Sequence, residues 1–245
     1  VPPGVPDPVA SCFPTGAPPG KRPPAGLASR RREEDAISDK AASWAHSEDY
    51  RTPDDVLLHA SERAAELGCG AVSPGTGALL SVLAAATRAT AVAEVGTGAG
   101  VSGLWLLRGM APDGVLTTID SEAEHQRAAK QAFADEQVRP TRTRTITGRA
   151  LEVLPRLADG AYDMVVVDGD PLEAADYVEQ AVRLLRPGGL LVVPHAMAED
   201  RVPDPARRDE LTTAMRELGK HVRSDERLVA AMVPTGDGVL VAARR

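Results

Sequence analysis

Residues Ala91-Val92-Ala93-Glu94-Val95-Gly96-Thr97-Gly98-Ala99-Gly100 form an apolar run that passes through one acidic residue into a Gly-x-Gly-x-Gly turn. Glycines accept φ > 0 and, having no side chain, let the backbone approach a ligand closely. The apolar spacing of Val101 to Met110, directly after the turn, is helical. Strand, glycine turn and helix N-terminus together predict the front edge of a doubly wound α/β sheet with a nucleoside cofactor over the turn. A dinucleotide fingerprint needs a third glycine where this chain has Val101, and it makes no use of an acid at Glu94.

On both sides of this stretch, helix and strand signals alternate with short connections. Thr52-Pro53-Asp54-Asp55 has the composition of a helix start, with a hydroxyl cap, a proline and acids in the first turn; Gly68 or Gly70 would end that helix. A second helix is expected from Pro74 to about Arg88. Strands follow at 90–95, 115–120, 143–147, 163–168 and 189–194, with helices at 101–110, 122–137, 149–157 and 172–185 between them. The runs Met164 to Val167 and Leu190 to Val193 are continuously apolar, as strands covered on both faces require, and Leu185 to Leu190 reads as the turn into the fifth strand. After a helix near 205–219, strands at 227–233 and 238–243 flank the turn Pro234-Thr235-Gly236-Asp237-Gly238. The fold class is therefore α/β: a doubly wound, mostly parallel seven-stranded sheet with a closing antiparallel hairpin.

Composition narrows the partners. The chain has 245 residues, 43% of them apolar, enough to bury a large core in one domain. Cys12 and Cys69 cannot form a disulfide framework, so reduced thiols and a cytoplasmic setting are expected. A net charge of -7 without a basic stripe argues against nucleic acid, and Arg88 and Glu94 interrupt the longest apolar stretch, which argues against a membrane span. Nine prolines fall within the first 24 residues, so 1–43 reads as a disordered tail and 44–245 as the folded domain. Trp44, His46 and Tyr50 are the first residues that could pack or line a pocket.

The ends of the strands supply the remaining ligand positions. An acid two residues before Gly-x-Gly-x-Gly suits S-adenosylmethionine. Asp120 ends the second strand twenty residues after Gly100, where a carboxylate can accept from both ribose hydroxyls. Gly148-Arg149-Ala150 lies where an adenine would sit, although Arg149 could equally be a solvated residue at a helix start. Asp168-Gly169-Asp170-Pro171 ends the fourth strand and brings two carboxylates to the same edge, where they could also act as caps.

With these motifs in order, the chain from about Trp44 onward resembles bacterial members of the S-adenosylmethionine-dependent O-methyltransferase family that includes catechol and caffeoyl-CoA O-methyltransferases. The resemblance implies a backbone contact to the cofactor at Val72 and loop contacts from Glu94, Gly96, Thr97 and Gly98. It places Ser102 on the cofactor carboxylate, Asp120 on the ribose with Ser121 beside it near the adenine, and Asp170 on the cofactor. Asp168 falls where the family binds metal and substrate together. A small hydroxylated acceptor and a homodimer are implied as well.

The departures bear on the chemistry. Metal-dependent members carry an Asp-Asn pair where this chain has Pro194-His195, and a lysine where it has Pro171. One carboxylate ligand, an amide oxygen and a base are missing from an oxygen-rich site of the kind hard divalent cations need. A histidine beside aspartates could still hold a softer metal, but metal-independent transfer is the expectation. A sulfonium already activates its methyl group, so the protein must align the nucleophile and take its proton. His195, at the cofactor edge of the sheet, is the candidate base with Asp168 beside it. His125 and His221 are expected on helices away from the site, and Trp105 in the core. Two alternatives stay open: a silent S-adenosylmethionine-binding protein, suggested by the missing lysine and Asp-Asn pair, and a nicotinamide-dependent oxidoreductase.

Overall fold

The apolar runs become the strands of a single sheet in the computed structural model, which describes residues 39–245. The tail expected over 1–43 lies outside the described residues up to position 38, and Cys12 with it. Within the compact unit Ala42–Arg245, a helical stretch that reaches residue 48 precedes α1 (Asp55–Leu67) and α2 (Pro74–Ala86). The sheet then alternates as β1 (Ala91–Val95), α3 (Val101–Gly109), β2 (Val115–Asp120), α4 (Ala123–Asp135), β3 (Thr143–Thr147), α5 (Ala150–Val153) and β4 (Tyr162–Val167). It finishes with α6 (Ala174–Leu184), β5 (Leu185–Val193), α7 (Glu210–Ser224), β6 (Leu228–Val233) and β7 (Val239–Arg244).

Strand order is β3-β2-β1-β4-β5-β7-β6, with β7 antiparallel to both β5 and β6 and the other neighbours parallel. The expected seven-stranded sheet and closing hairpin are both present, the hairpin inserting β7 between β5 and β6. Every residue of β4 is buried, as a central strand covered by helices on both faces must be. One apolar layer packs under α6 and α7 around Leu184, Leu191 and Leu218, and the other under α1 to α4 around Leu80, Leu104 and Leu116.

Register is what positions the site. Val95 lies beside Ile119 on β2 and beside Val167 on β4. The next residues of the three strands, Gly96, Asp120 and Asp168, therefore emerge side by side at the carboxyl edge. This is also where the order reverses, β1 leading to β2 on one side and facing β4 on the other, the crevice in which open α/β sheets bind ligands.

Several boundaries differ from expectation for local reasons. The cap of α1 is Asp54, whose Oδ1 accepts from Leu57 N at 3.2 Å, so Thr52 and Pro53 precede the helix; Gly68 ends it in the left-handed region at φ 69°. α7 begins at Glu210 rather than near 205, because Asp209 caps it by accepting from Thr212 N at 3.0 Å. The segment 149–157 is split: Pro155 cannot donate into an α-helix, and α5 gives way to a 3₁₀ turn over Leu154–Arg156. β5 starts at Leu185 instead of 189, since Leu185 already pairs with Tyr162 before the register shifts ahead of Met164 and Leu190.

Trp105 is core, as expected, and 3% exposed. The crossing of α2 and α3 depends on Gly77, where a β-carbon would overlap the Trp105 indole. Gly77→Ala should destabilise the fold by about 1–3 kcal/mol through overpacking, despite its gain in helix propensity; a lower urea midpoint with an unchanged slope would register it.

Candidate active site

The glycine turn is held against the end of β4. Gly96 has φ 88° and donates to Ile119 O at 2.9 Å, while Asp168 N donates to Val95 O at 2.8 Å. A β-carbon at Gly96 would overlap the Asp168 carbonyl, so only glycine fits. Beneath the turn, Glu94 is fully buried and its Oε2 accepts from Thr118 Oγ1 at 2.6 Å. Burial pushes its carboxyl up to about 7, against the hydrogen bond of Thr118, and its Oε1 has no partner. Thr97 Oγ1 lies 2.7 Å from Thr118 Oγ1 and accepts from Gln126 Nε2 at 2.9 Å, which links the turn to α4.

Above the turn lies a cavity of about 500 Å³. Of the residues predicted for the cofactor, it is lined by Val72, Gly96, Thr97, Gly98, Ser102, Asp120, Ser121, Arg149, Ala150 and Asp170, with Asp168 and His195 at one end. Glu94 is absent from that lining: it supports the turn from below. The hydroxyl of Thr97 is spent in the same buried network, so its side chain is structural. Asp120 Oδ2 accepts from Gly98 N at 3.0 Å and Oδ1 from Glu122 N at 2.9 Å, which holds the carboxylate at the cavity wall. Asp170 Oδ1 caps the following turn by accepting from Leu172 N at 2.9 Å. Arg149 spends its guanidinium on Glu173 at 2.9 Å, and Glu173 in turn accepts from the Tyr177 hydroxyl. The left-handed cap of α3, Gly100, supplies no side-chain hydrogen bond, and the first turn of α3 contributes Val101 and Ser102 to the lining. Uncapped N–H groups in a helix's first turn favour an anion.

Sequence reasoning missed four residues here. His125, expected on a helix away from the site, lines the cavity with Nδ1 3.2 Å from Asp120 Oδ1, because α4 starts only two residues earlier, at the sheet edge. Glu173 and Tyr177 line it too. Asp237, read only as part of a hairpin turn, lies 2.7 Å from Nδ1 of His195, 42 residues away in sequence. A lone aspartate in a turn carries no local signal of such a partner.

His195 adopts φ 55°, and its Nε2 lies 3.9 Å from Asp168 Oδ1. The ring is thus flanked by two carboxylates. The hydrogen bond to Asp237, followed by the charges of Asp168, Asp237 and Glu199, outweighs partial burial and raises His195 to about 9. Burial raises Asp168 to about 6, moderated by the charge of His195. A second, more apolar cavity of about 670 Å³ adjoins the first. Trp44, Val193, Leu211 and Met215 are among its walls; Gly70, Ala71, Asp168, Gly169 and His195 line both cavities. His46, a candidate for the same region, is exposed.

These groups do not suit the divalent cation of metal-dependent relatives. Asp168 is one carboxylate, Pro194 and Pro171 offer no side-chain donor, and His195 presents an imidazole nitrogen where a hard cation takes oxygen. Among the described residues, metal-type ligands converge at Glu179, His221 and Asp225, away from either cavity, and Arg227 already bridges that group at 3.0 Å and 2.6 Å.

A sheet in this order, with a glycine turn, an acid ending β2 and a paired cavity at the switch point, has the architecture of class I methyltransferases. The O-methyltransferase family matches residues 57–245, and the chain belongs to that family. It is 58% identical over 200 residues to a protein named as an O-methyltransferase in Mycobacterium ulcerans, covering 82% of this chain and 89% of that one. Among solved structures it is similar to a protein of Corynebacterium glutamicum (34% identity, TM-score 0.76, 84% of this chain and 97% of that one). It is also similar to TomG, an O-methyltransferase of Streptomyces achromogenes involved in tomaymycin synthesis and crystallised with S-adenosylmethionine (29% identity, TM-score 0.72, 79% and 91%).

The flanked imidazole couples stability to pH. Because folding raises His195 from 6.5 to about 9, its contribution is complete below about pH 6.5 and is lost as pH rises through about 9. Asp168 titrates lower, near 6. Urea midpoints measured from pH 6.5 to 9.5 should therefore fall more steeply for the wild type than for Asp237→Asn.

Proposed function

We propose that this chain transfers the methyl group of S-adenosylmethionine to a hydroxyl of a small molecule, without a metal, and that His195 takes the hydroxyl proton. The observation that carries this reading is the meeting of the two cavities at Asp168 and His195, with Gly96, Asp120 and Asp168 in one row at the strand ends.

The residues present fit the cofactor. Gly96 clears the space over β1, Asp120 faces the cavity where a ribose would lie, Ala150 leaves room for a flat ring, and the uncapped start of α3 suits a carboxylate. The bound sulfonium supplies an activated methyl group. The apolar second cavity holds the acceptor, against Trp44, Leu211 and Met215. His195 Nδ1 donates to Asp237, which fixes the tautomer and leaves Nε2 to accept the proton. With His195 at about 9 the base is mostly protonated at neutral pH. It is well matched to a phenolic hydroxyl, whose own pKa is about 10. Transfer then requires the deprotonated ring, so the rate rises with pH up to about 9. The missing lysine and Asp-Asn pair do not count against turnover when the base sits just beyond β5 and no cation is needed. No helix among the described residues is long and apolar enough to cross a membrane. Family resemblance and composition lead us to a homodimer in the cytoplasm.

Calorimetric titration of S-adenosylhomocysteine into metal-stripped protein tests the cofactor, and binding should be unchanged by added Mg²⁺. Asp120→Ala should weaken it by about 1.5–3 kcal/mol, the value of hydrogen bonds involving a charged group. Turnover of a phenolic acceptor should survive EDTA; dependence on Mg²⁺ would overturn the metal-free reading.

A further inference from the structure

Glu48 is buried at 8% exposure, unusual for a carboxylate outside both cavities. Its Oε2 accepts from Gly75 N at 3.1 Å, in the first turn of α2, and its Oε1 accepts from Gly236 N at 2.7 Å, in the turn between β6 and β7. The seat is shaped for it. A β-carbon at Gly75 would lie 2.5 Å from Glu48 Oε1. Gly236, at φ 58°, is pressed so close to α2 that a β-carbon there would lie 2.7 Å from Thr76 Oγ1 and 2.9 Å from Ser73 Oγ. The carboxylate also stands at the positive end of α2, where a negative charge is favoured.

Both ends of this clasp lead to the site. Gly236 immediately precedes Asp237, which holds His195 Nδ1 and also accepts from Glu199 N at 3.1 Å through its other oxygen. Trp44 lies four residues before Glu48 in the helical stretch, on the same face, and forms a wall of the acceptor cavity. We propose that Glu48 is a positioning residue for methyl transfer: by pinning the Gly236-Asp237 turn to the start of α2 it sets Asp237 against His195, and by the same bonds it holds Trp44 over the acceptor. The proposal rests on the transferase reading above.

The groups that face His195 are Asp237 on Nδ1, Asp168 on Nε2 and Glu199 nearby; Glu48 reaches the ring only through the turn. NMR titration of the His195 imidazole in the full chain, which needs no turnover, reads that path. In Glu48→Ala the His195 midpoint should fall by about one unit or more toward the ordinary histidine range. Glu48→Gln removes the charge but keeps an oxygen for one of the two N–H groups, and should shift it less. Gly236→Ala displaces the turn without altering charge and should reproduce the alanine result. In steady-state assays of Glu48→Ala, acceptor KM should rise about fivefold or more, with S-adenosylhomocysteine affinity changed by less than about twofold. An unchanged His195 titration in Glu48→Ala, or equal shifts in the alanine and glutamine variants, would overturn the proposal. If Glu48→Ala does not fold, the titrations of Glu48→Gln and Gly236→Ala decide, a wild-type midpoint in both counting against it. A wild type that binds S-adenosylhomocysteine yet methylates no hydroxyl would remove the transferase reading, while the titration would still judge the clasp.

Discussion

The close approach of Gly96 to the Asp168 carbonyl is the constraint on which the rest of the site depends. It lets the turn after β1 lie flat across the end of β4 instead of standing off by the width of a side chain. Because parallel register already aligns Val95, Ile119 and Val167, this contact brings the glycine turn, the acid of β2 and the acid of β4 into one row. A cavity opens above the row, and His195 and Asp168 stand where it meets the second, more apolar cavity.

A buried polar network supports that turn from below. Glu94, Thr118, Thr97 and Gln126 run from β1 through β2 and the turn to α4, and Gln126 also donates to Ile146 O on β3 at 3.2 Å. Burying a carboxylate is costly unless its charge is suppressed or its oxygens are satisfied. Glu94 does some of each: its carboxyl is raised to about 7 and one oxygen is bonded. Such networks restrict the backbone to one arrangement, a useful property beneath a turn that must present N–H groups at fixed positions. A second constraint acts from the opposite side, where Glu48 joins the start of α2 to the hairpin turn. The cavity over the glycine turn is thus organised by β1 and β2, and the apolar cavity beside it by segments at the two ends of the folded unit.

Much of the glycine-turn side of the site is legible in the sequence. Gly-x-Gly-x-Gly after an apolar run, an acid at the end of the second strand and Asp168-Gly169-Asp170 at the end of the fourth are local patterns, and strand ends in a parallel sheet share one edge. What was misread there concerns side-chain direction. Glu94 and the Thr97 hydroxyl point beneath the turn rather than at the cavity, and Arg149 is taken up by Glu173. The place of His125 at the cavity is not legible in the sequence, because a helical pattern does not reveal which end of the helix meets the sheet edge.

The sequence by itself determined the strand and helix order, the parallel sheet with its closing hairpin, and the row of residues at the carboxyl edge, because each follows from periodicity and from residues adjacent in the chain. Only the tertiary structure decided the proton affinity of His195. His195 changes from an ordinary imidazole into a strongly basic one through Asp237, which lies 42 residues further along and is brought to 2.7 Å by the insertion of β7 beside β5. Proton affinity depends on charges and burial in space, and no spacing along the chain encodes a distance that the sheet alone creates.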